Sequence, residues 1–318
     1  MDTILVTGGA GFIGSHLVTA LVARGAHVRV FDNLATGFQK NLAAVTAHIE
    51  FIEGDLRDFD AVCRAVQGVE IIYHQAALPS VARSVQNPRD SHSANITGTL
   101  NLLTAARDAH TPRVILASSS SVYGSNPALP KEESMTPAPL SPYAITKLAG
   151  EMYAQVFSQL YGLETVCLRY FNVFGPRQDP TTQYAGAIAK FISCALRREP
   201  YPVFGDGEQS RDFTYVENVI EANLLAARAP IQGHARLNIA YGERATLNQI
   251  IAILNELTQQ NLPTIYTVAR AGDVRHSLAS IARARELLGY QPRVDLHAGL
   301  EKTLQWAQGH GEDTVAAR

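Results

Sequence analysis

Tyr143-Ala144-Ile145-Thr146-Lys147 places a phenol and an ammonium four residues apart, and on a helix that spacing puts both on one face. A free phenol has a pKa of about 10 and is a poor base at neutral pH. A neighbouring lysine cation stabilises the phenolate, and an oxidised nicotinamide would add a second positive charge. A hydroxyl from the run Ser118-Ser119-Ser120-Ser121 can bridge a substrate oxygen and the phenol. Together these groups can remove a proton from a sugar hydroxyl while hydride leaves the same carbon. The same spacing also fits an amphipathic helix with a surface lysine, so the pair needs support from elsewhere in the chain.

The N-terminus supplies that support. Thr3-Ile4-Leu5-Val6-Thr7 reads as a buried parallel strand and runs into Gly8-Gly9-Ala10-Gly11-Phe12-Ile13-Gly14, then a helical pattern from Ser15 to Arg24. Gly8 suits a tight turn, Gly11 admits a pyrophosphate, and Gly14 lets the helix pack closely on the strand. His27-Val28-Arg29-Val30-Phe31 reads as a second strand ending at Asp32. An acid there accepts from both adenosine ribose hydroxyls and repels a 2′-phosphate, which favours NAD over NADP. A glycine turn alone can be purely structural; strand, turn, helix, strand and acid in order make it a dinucleotide site.

These groups need a scaffold, and the rest of the chain describes one. Further strand-like runs occur at Ile49–Glu53, Glu70–Tyr73, Arg113–Ala117 and Thr165–Arg169, with helical stretches at Phe59–Val66, Ser93–Asp108 and Tyr143–Tyr161. Such alternation predicts an α/β fold, a Rossmann-type doubly wound parallel sheet whose ligands bind at the carboxyl ends of its strands. After Asn172 the elements shorten between Gly175-Pro176, Asp179-Pro180, Glu199-Pro200 and Gly205-Asp206-Gly207. The expected division is an NAD-binding unit over 1–172 and a smaller, mostly C-terminal α/β substrate lobe over 173–318, with a strand near 237–240 returning to the sheet.

With 318 residues, 46% hydrophobic and 18% charged, the chain can bury a substantial core. A net charge of −2 gives no reason to expect nucleic acid or an acidic membrane as partner. No apolar stretch reaches bilayer length, and the chain enters its first strand directly, so a cytoplasmic protein without a secretory leader is expected. Cys63, Cys167 and Cys194 are far apart, lack metal-ligand spacing and read as buried free thiols.

These features resemble the extended short-chain dehydrogenase/reductase superfamily of nucleotide-sugar enzymes. The resemblance runs from Thr3 to roughly Tyr290 and includes Asn95, Tyr170-Phe171-Asn172-Val173-Phe174-Gly175-Pro176, Gly205-Asp206-Gly207 through Arg211-Asp212-Phe213, and Arg270-Ala271-Gly272-Asp273. It implies Ser119 as the catalytic hydroxyl, Tyr143 as the base and Lys147 as its electrostatic partner, which also bonds the nicotinamide ribose. Beside NAD it implies Phe12, Ile13, Asn33, Asp55, Leu56, Gln75, Ala76, Ala77, Asn95 and Tyr170. For a UDP-sugar it implies Ser80, Ser119, Ser120, Ser121, Tyr143, Asn172, Val203, Arg211, Arg270 and Asp273. The two arginines resemble guanidinium clamps on the diphosphate, although either can be a plain surface residue. Asn172 can equally be a turn former.

The serines narrow the reaction. Sugar-nucleotide 4,6-dehydratases resemble Thr-Asp-Glu before Val-Tyr-Gly, and UDP-glucuronate decarboxylases carry a Glu before that Val. Here Ser120 and Ser121 occupy those positions. Hydroxyls suffice for oxidation at C4, rotation of the 4-keto sugar and re-reduction from the other face, which is 4-epimerisation. The chain looks most like the UDP-N-acetylglucosamine branch, through His74-Gln75-Ala76-Ala77-Leu78-Pro79-Ser80-Val81, Phe174 to Pro180, and Gly272 to Leu278. Glucose-restricted relatives place a bulky Tyr at what looks like Ser277; a serine, with Gly186, leaves room for an acetamido group. Gln178 is a plausible contact for that amide, with loop capping as its alternative. Ala187-Ile188-Ala189-Lys190 lacks the family's usual proline, and Ser280 replaces a common aspartate.

UDP-glucose 4-epimerisation and UDP-glucuronate 4-epimerisation remain open alternatives. The latter should place a cation near the sugar C6, a role that sequence assigns to neither Arg83 nor Lys131. From another class, a silent sugar-nucleotide sensor would not need Ser119, Tyr143 and Lys147 together. The helices at Ser93–Asp108 and Tyr143–Tyr161 resemble those of a four-helix dimer interface, so a homodimer is expected.

Overall fold

A computed structural model describes residues 3–180, 186–268 and 274–310. Its centre is a seven-stranded, all-parallel sheet. Its first six strands in chain order are β1 (Thr3–Thr7), β2 (His27–Asp32), β3 (Ile49–Glu53), β4 (Val69–His74), β5 (Arg113–Ser119) and β6 (Glu164–Tyr170). The seventh is His234–Ile239, and the spatial order is His234–Ile239, β6, β5, β4, β1, β2, β3. Residues of β1 and β6 such as Leu5, Val6, Val166 and Leu168 are fully buried, as expected of strands covered on both faces.

Helix α1 (Phe12–Val22) and the Val216–Arg228 helix cover one face around Leu17, Val18, Val30 and Val219. Helix α2 (Phe59–Ala65) and the helices Gly98–Asp108 and Pro142–Tyr161 cover the other around Val62, Leu103, Phe157 and Cys167. The strand order reverses between β1 and β4, so their carboxyl ends open a crevice there. The Thr7↔Phe31 and Thr7↔His74 register brings the glycine turn, Asp32 and the segment after His74 to that crevice.

Two elements differ from sequence expectation. Helix α1 begins at Phe12, earlier than Ser15, because the extended backbone of Gly11 serves as its N-cap. Ser93–Asp108 is not one regular helix: Pro88–His92 passes through a π-turn at Ser93–Thr97 into Gly98–Asp108. Of the thiols, Cys167 and Cys194 are buried whereas Cys63 is partly exposed, since its short helix α2 lies at the sheet's outer surface.

Beyond β6, short ladders pair Val173–Phe174 with Thr214–Tyr215, Tyr201–Phe204 with Thr264–Thr267, and Ser210–Arg211 with Ala245–Thr246. Helices Ala187–Arg197 and Leu247–Thr258 pack beside them. Among the described residues no helix is long and apolar enough to cross a membrane.

Candidate active site

The glycine turn has the shape a dinucleotide requires. Gly8 has φ +71°, and a Cβ there would lie 2.6 Å from the Ala76 backbone. A Cβ on Gly14 would lie 2.1 Å from the Gly8 carbonyl oxygen, so helix and turn touch backbone to backbone. Gly11 brings no side chain to cap α1, and the first turn holds no acid, which leaves the Phe12–Ile13–Gly14 amide end free to meet an anion. Asp32 closes the turn: Oδ2 accepts from the Ala10 amide at 2.9 Å and Oδ1 from the Leu34 amide at 2.8 Å. Burial pushes its carboxyl up, opposed by those two amides. Each oxygen retains a lone pair for a ribose hydroxyl.

Asp55, expected to border the adenine, sits at the centre of a polar cluster. Arg57 pairs with it at 2.6 Å and Asn33 Nδ2 donates to it at 2.8 Å. The Arg57 hydrogen bond, with further help from Asn33, holds this carboxyl well below the usual range. Leu56 is buried, and Asn101 Nδ2 donates to its carbonyl at 2.8 Å.

After β4 the chain passes Gln75, Ala76 and Ala77. Gln75 Nε2 donates to Asn223 Oδ1 at 3.0 Å and to Tyr170 Oη at 3.2 Å. Asn223 was not legible as a site neighbour, because only the fold brings the Val216–Arg228 helix there. Asn95 fixes the same loop: its Oδ1 accepts from the Leu78 amide at 2.8 Å and its Nδ2 donates to Thr146 Oγ1 at 3.1 Å. His74 is held between two threonines. Its ring nitrogens bond Thr7 and Thr99, both at 2.8 Å, and burial pushes it down to about 3, so it stays neutral.

The Pro142–Tyr161 helix, which carries Tyr143 and Lys147, starts where its sequence dictates. Ser141 caps it by accepting from the Ala144 amide, and Pro142 occupies the first turn, where a missing N–H costs nothing. Tyr143 is thereby set at the crevice, its amide donating to Ser84 Oγ at 3.0 Å. Burial pushes the Tyr143 phenol up to about 12, while a hydrogen bond with Ser119 acts in the opposite direction. Lys147 Nζ lies 5.9 Å from the Tyr143 ring centroid and donates to the Ala117 carbonyl at 2.8 Å. Burial brings this lysine down to about 8. Ser119 Oγ accepts from the Ser121 amide at 3.1 Å, and Ser121 Oγ is buried with no hydrogen-bond partner. Ser120 opens the short 3₁₀ turn Ser120–Tyr123 that carries these hydroxyls. Ser80, at φ +89°, caps the neighbouring Val81–Gln86 helix.

A cavity of about 250 Å³ lies beyond the crevice, lined among others by Asn172, Gln178, Gly186, Lys190, Phe204 and Arg211. Asn172 is both a turn residue, at φ +34°, and a wall of this cavity; its Nδ2 donates to the Asp212 carbonyl at 3.1 Å. Gln178 and Gly186 adjoin, since a Cβ on Gly186 would meet Gln178 Nε2 at 3.3 Å. Arg211 Nη1 bonds the carbonyls of Ser210 and Arg275 at 3.0 and 2.9 Å. Ser277 adjoins it through a backbone bond to Ser210 at 3.0 Å. Val203 departs from expectation: strand alternation turns Tyr201 and Val203 into the core, and Pro202 and Phe204 line the cavity instead. Lys131 is buried and its ammonium donates to the Asn126 carbonyl. Arg270 and Asp273 lie outside the described residues.

A dinucleotide turn, a partly buried Ser119–Tyr143–Lys147 set and a separate cavity of the C-terminal elements are the features of an NAD-dependent enzyme. The model of the NAD dependent epimerase/dehydratase family matches residues 4–240. A putative UDP-glucose 4-epimerase of Methanocaldococcus jannaschii is 38% identical, over 96% of this chain and 99% of its own. The UDP-glucose 4-epimerase of Thermotoga maritima, solved with UDP-glucose, is 40% identical with a TM-score of 0.93, covering 98% of this chain and 100% of its own. The UDP-N-acetylglucosamine 4-epimerase of Methanobrevibacter ruminantium, solved with UDP-N-acetylmuramic acid, is 39% identical with a TM-score of 0.93, covering 97% and 99%. The chain belongs to the NAD dependent epimerase/dehydratase family, as a nucleotide-sugar 4-epimerase with NAD as its cofactor.

Proposed function

We propose that this protein interconverts UDP-GlcNAc and UDP-GalNAc through a transient 4-keto sugar. The observation that carries the reading is the hydroxyl-only turn at Ser119–Ser121 beside Tyr143, combined with the Gln178 amide and side-chain-free Gly186 in the cavity wall. With no carboxylate in that turn, the site is suited to proton and hydride exchange at C4 and unsuited to elimination.

Tyr143 accepts the C4 hydroxyl proton with Ser119 as the bridging donor, and Lys147 provides the positive charge that a phenolate needs. Gly8, Gly11 and Gly14 cradle the pyrophosphate of NAD and Asp32 takes its ribose. When bound, NAD supplies a two-electron acceptor that takes up and gives back one hydrogen at C4. Arg211 and Asn172 hold the diphosphate, with Arg270 as the second guanidinium, so the ketone turns about a fixed anchor; Asp273 is left for a hydroxyl of the substrate. Ser80, Ser120 and Ser121 offer hydrogen bonds to either sugar face. Tyr143 then returns its proton to the epimeric oxygen.

Activity requires the charged form of Lys147, whose pKa burial brings down to about 8. The expected kcat/KM profile therefore falls as pH rises above roughly that value, as the free enzyme's ammonium is lost. A profile flat to about pH 10 would remove Lys147 from this role.

Rates with UDP-GlcNAc and UDP-glucose, measured separately without added reductant, test the substrate. Faster formation of UDP-GalNAc than of UDP-galactose is expected. The reverse order would make the protein a UDP-glucose 4-epimerase with spare room; conversion of neither would direct attention to uronic acids. Ser277→Tyr should lower acetamido turnover at least about tenfold while sparing UDP-glucose, as a ring fills the space left by the serine. Equal losses for both sugars would count against Ser277 as the selective position.

The Pro142–Tyr161 helix exposes Ile145, Met152, Val156 and Leu160, an apolar stripe at helical spacing. This supports a homodimer joined through that helix. Met152→Glu combined with Leu160→Glu should yield monomers by light scattering; a wild-type protein already monomeric at micromolar concentration would overturn the assembly.

A further inference from the structure

One helical turn beyond Lys147 lies an ion pair with no direct place in the chemistry above. Glu151 and Arg169 have fully buried side chains. Arg169 Nε and Nη2 donate to the Glu151 carboxylate at 2.9 and 2.7 Å, and the Ser118 hydroxyl donates to it as well. Arg169 also lies 4.8 Å from the Tyr123 ring, and its Nη1 has no hydrogen-bond partner. Such a pair is weak evidence for stability, because packed apolar residues commonly serve as well. Its position suggests a different purpose.

The pair joins the catalytic helix, through Glu151, to β5 and β6. Ser118 and Arg169 are register partners, as are Ser119 and Tyr170. Ser118 sits between Ala117, whose carbonyl receives Lys147, and Ser119, which bonds Tyr143. Fastening Ser118 therefore fixes both contacts of the catalytic pair. Lys147, Glu151, Ser118, Cys167 and His74 also line one small internal cavity. The titratable groups facing Lys147 are thus Tyr143 and Glu151 on its own helix, Cys167 on β6 and His74 on β4. Burial holds the Cys167 thiol and the His74 ring neutral, which leaves Glu151 as the facing anion. The Glu151 charge acts to raise Lys147 against its burial.

We propose that Glu151, clamped by Arg169 and Ser118, is a positioning residue that holds Ser119 and Lys147 in place around Tyr143 and supplies the negative charge the Lys147 ammonium faces. This rests on the assignment of Tyr143 and Lys147 made above.

The test compares the NAD-loaded full chain with a Glu151→Leu/Arg169→Met double variant, Ser118→Ala and Tyr143→Phe, following UDP-sugar turnover from about pH 6 to about pH 10. The double variant should fold by circular dichroism, keep KM within about threefold and lose about 10- to 100-fold in kcat. Its alkaline limb should move toward lower pH, because Glu151 rather than Arg169 is the charge that acts on Lys147. Ser118→Ala should lower kcat several-fold with that limb unmoved. A folded double variant with wild-type kcat and pH limb would reduce the pair to a structural element and overturn the proposal. If the double variant does not fold, wild-type kcat in Ser118→Ala overturns it instead. Turnover surviving in Tyr143→Phe would show that the underlying site assignment had failed, and the proposal with it.

Discussion

Tyr143→Phe should lower kcat by about 10³-fold or more while UDP-sugar binding stays within about threefold. The variant removes one oxygen and keeps the ring that is packed at the head of the catalytic helix. In the proposed mechanism that oxygen exchanges a proton with the sugar hydroxyl while bonded to Ser119. Burial pushes the phenol up to about 12, so without help it holds its proton at neutral pH. The help is electrostatic, from Lys147 at the same face and from the charge of the oxidised cofactor. Deleting the phenol oxygen removes the acceptor itself, and neither charge can compensate. The diphosphate contacts proposed for Arg211 and Asn172 lie in a cavity that Tyr143 does not line, so binding should survive. Turnover and calorimetric affinity for a UDP-sugar check both halves. Retention of turnover within tenfold would exclude Tyr143 as the proton acceptor.

Gly14→Ala should lose NAD, weakening it about 100-fold, although alanine ordinarily favours a helix by about 1 kcal/mol. The reversal follows from one distance. The added Cβ would lie 2.1 Å from the Gly8 carbonyl oxygen and 2.8 Å from its carbon. Both are backbone atoms of the turn and cannot rotate away. Helix α1 must then lift from the strand end, carrying its amides away from the pyrophosphate position. Overpacking of this kind costs about 1–3 kcal/mol. A fall of several degrees in Tm should accompany the loss, read by thermal denaturation and by cofactor content after gel filtration. An alanine variant of higher Tm that retains NAD would contradict the packing role given to Gly14.

Legibility in the sequence followed how local the signal was. The β1 strand, the glycine turn, α1 and Asp32 lie within about thirty residues, and each carries its own period or turn chemistry, so the cofactor end could be read directly. The helix from Tyr143 was equally plain from the Tyr143–Lys147 spacing, whereas its Ser141 cap and Pro142 first turn emerged only in the structure. What depended on register was hidden. Val203 could not be turned inward on paper, because the Tyr201–Phe204 strand has only four residues over which to show alternation. Asn223 meets Gln75 and Tyr170 only because the Val216–Arg228 helix packs at the crevice. Arg169 reads as one more residue of a buried strand until β5 and β6 pair and bring it to Glu151. The break at Ser93–Thr97 carried no proline or glycine to announce it.

The most direct test of the 4-epimerase account is a proton NMR time course of the purified, NAD-loaded protein with UDP-GlcNAc in D₂O, without added reductant. The account predicts UDP-GalNAc carrying protium at C4, because the hydrogen removed from one face is the hydrogen returned to the other. Deuterium at C4, or an unsaturated or decarboxylated product in place of the epimer, would contradict it.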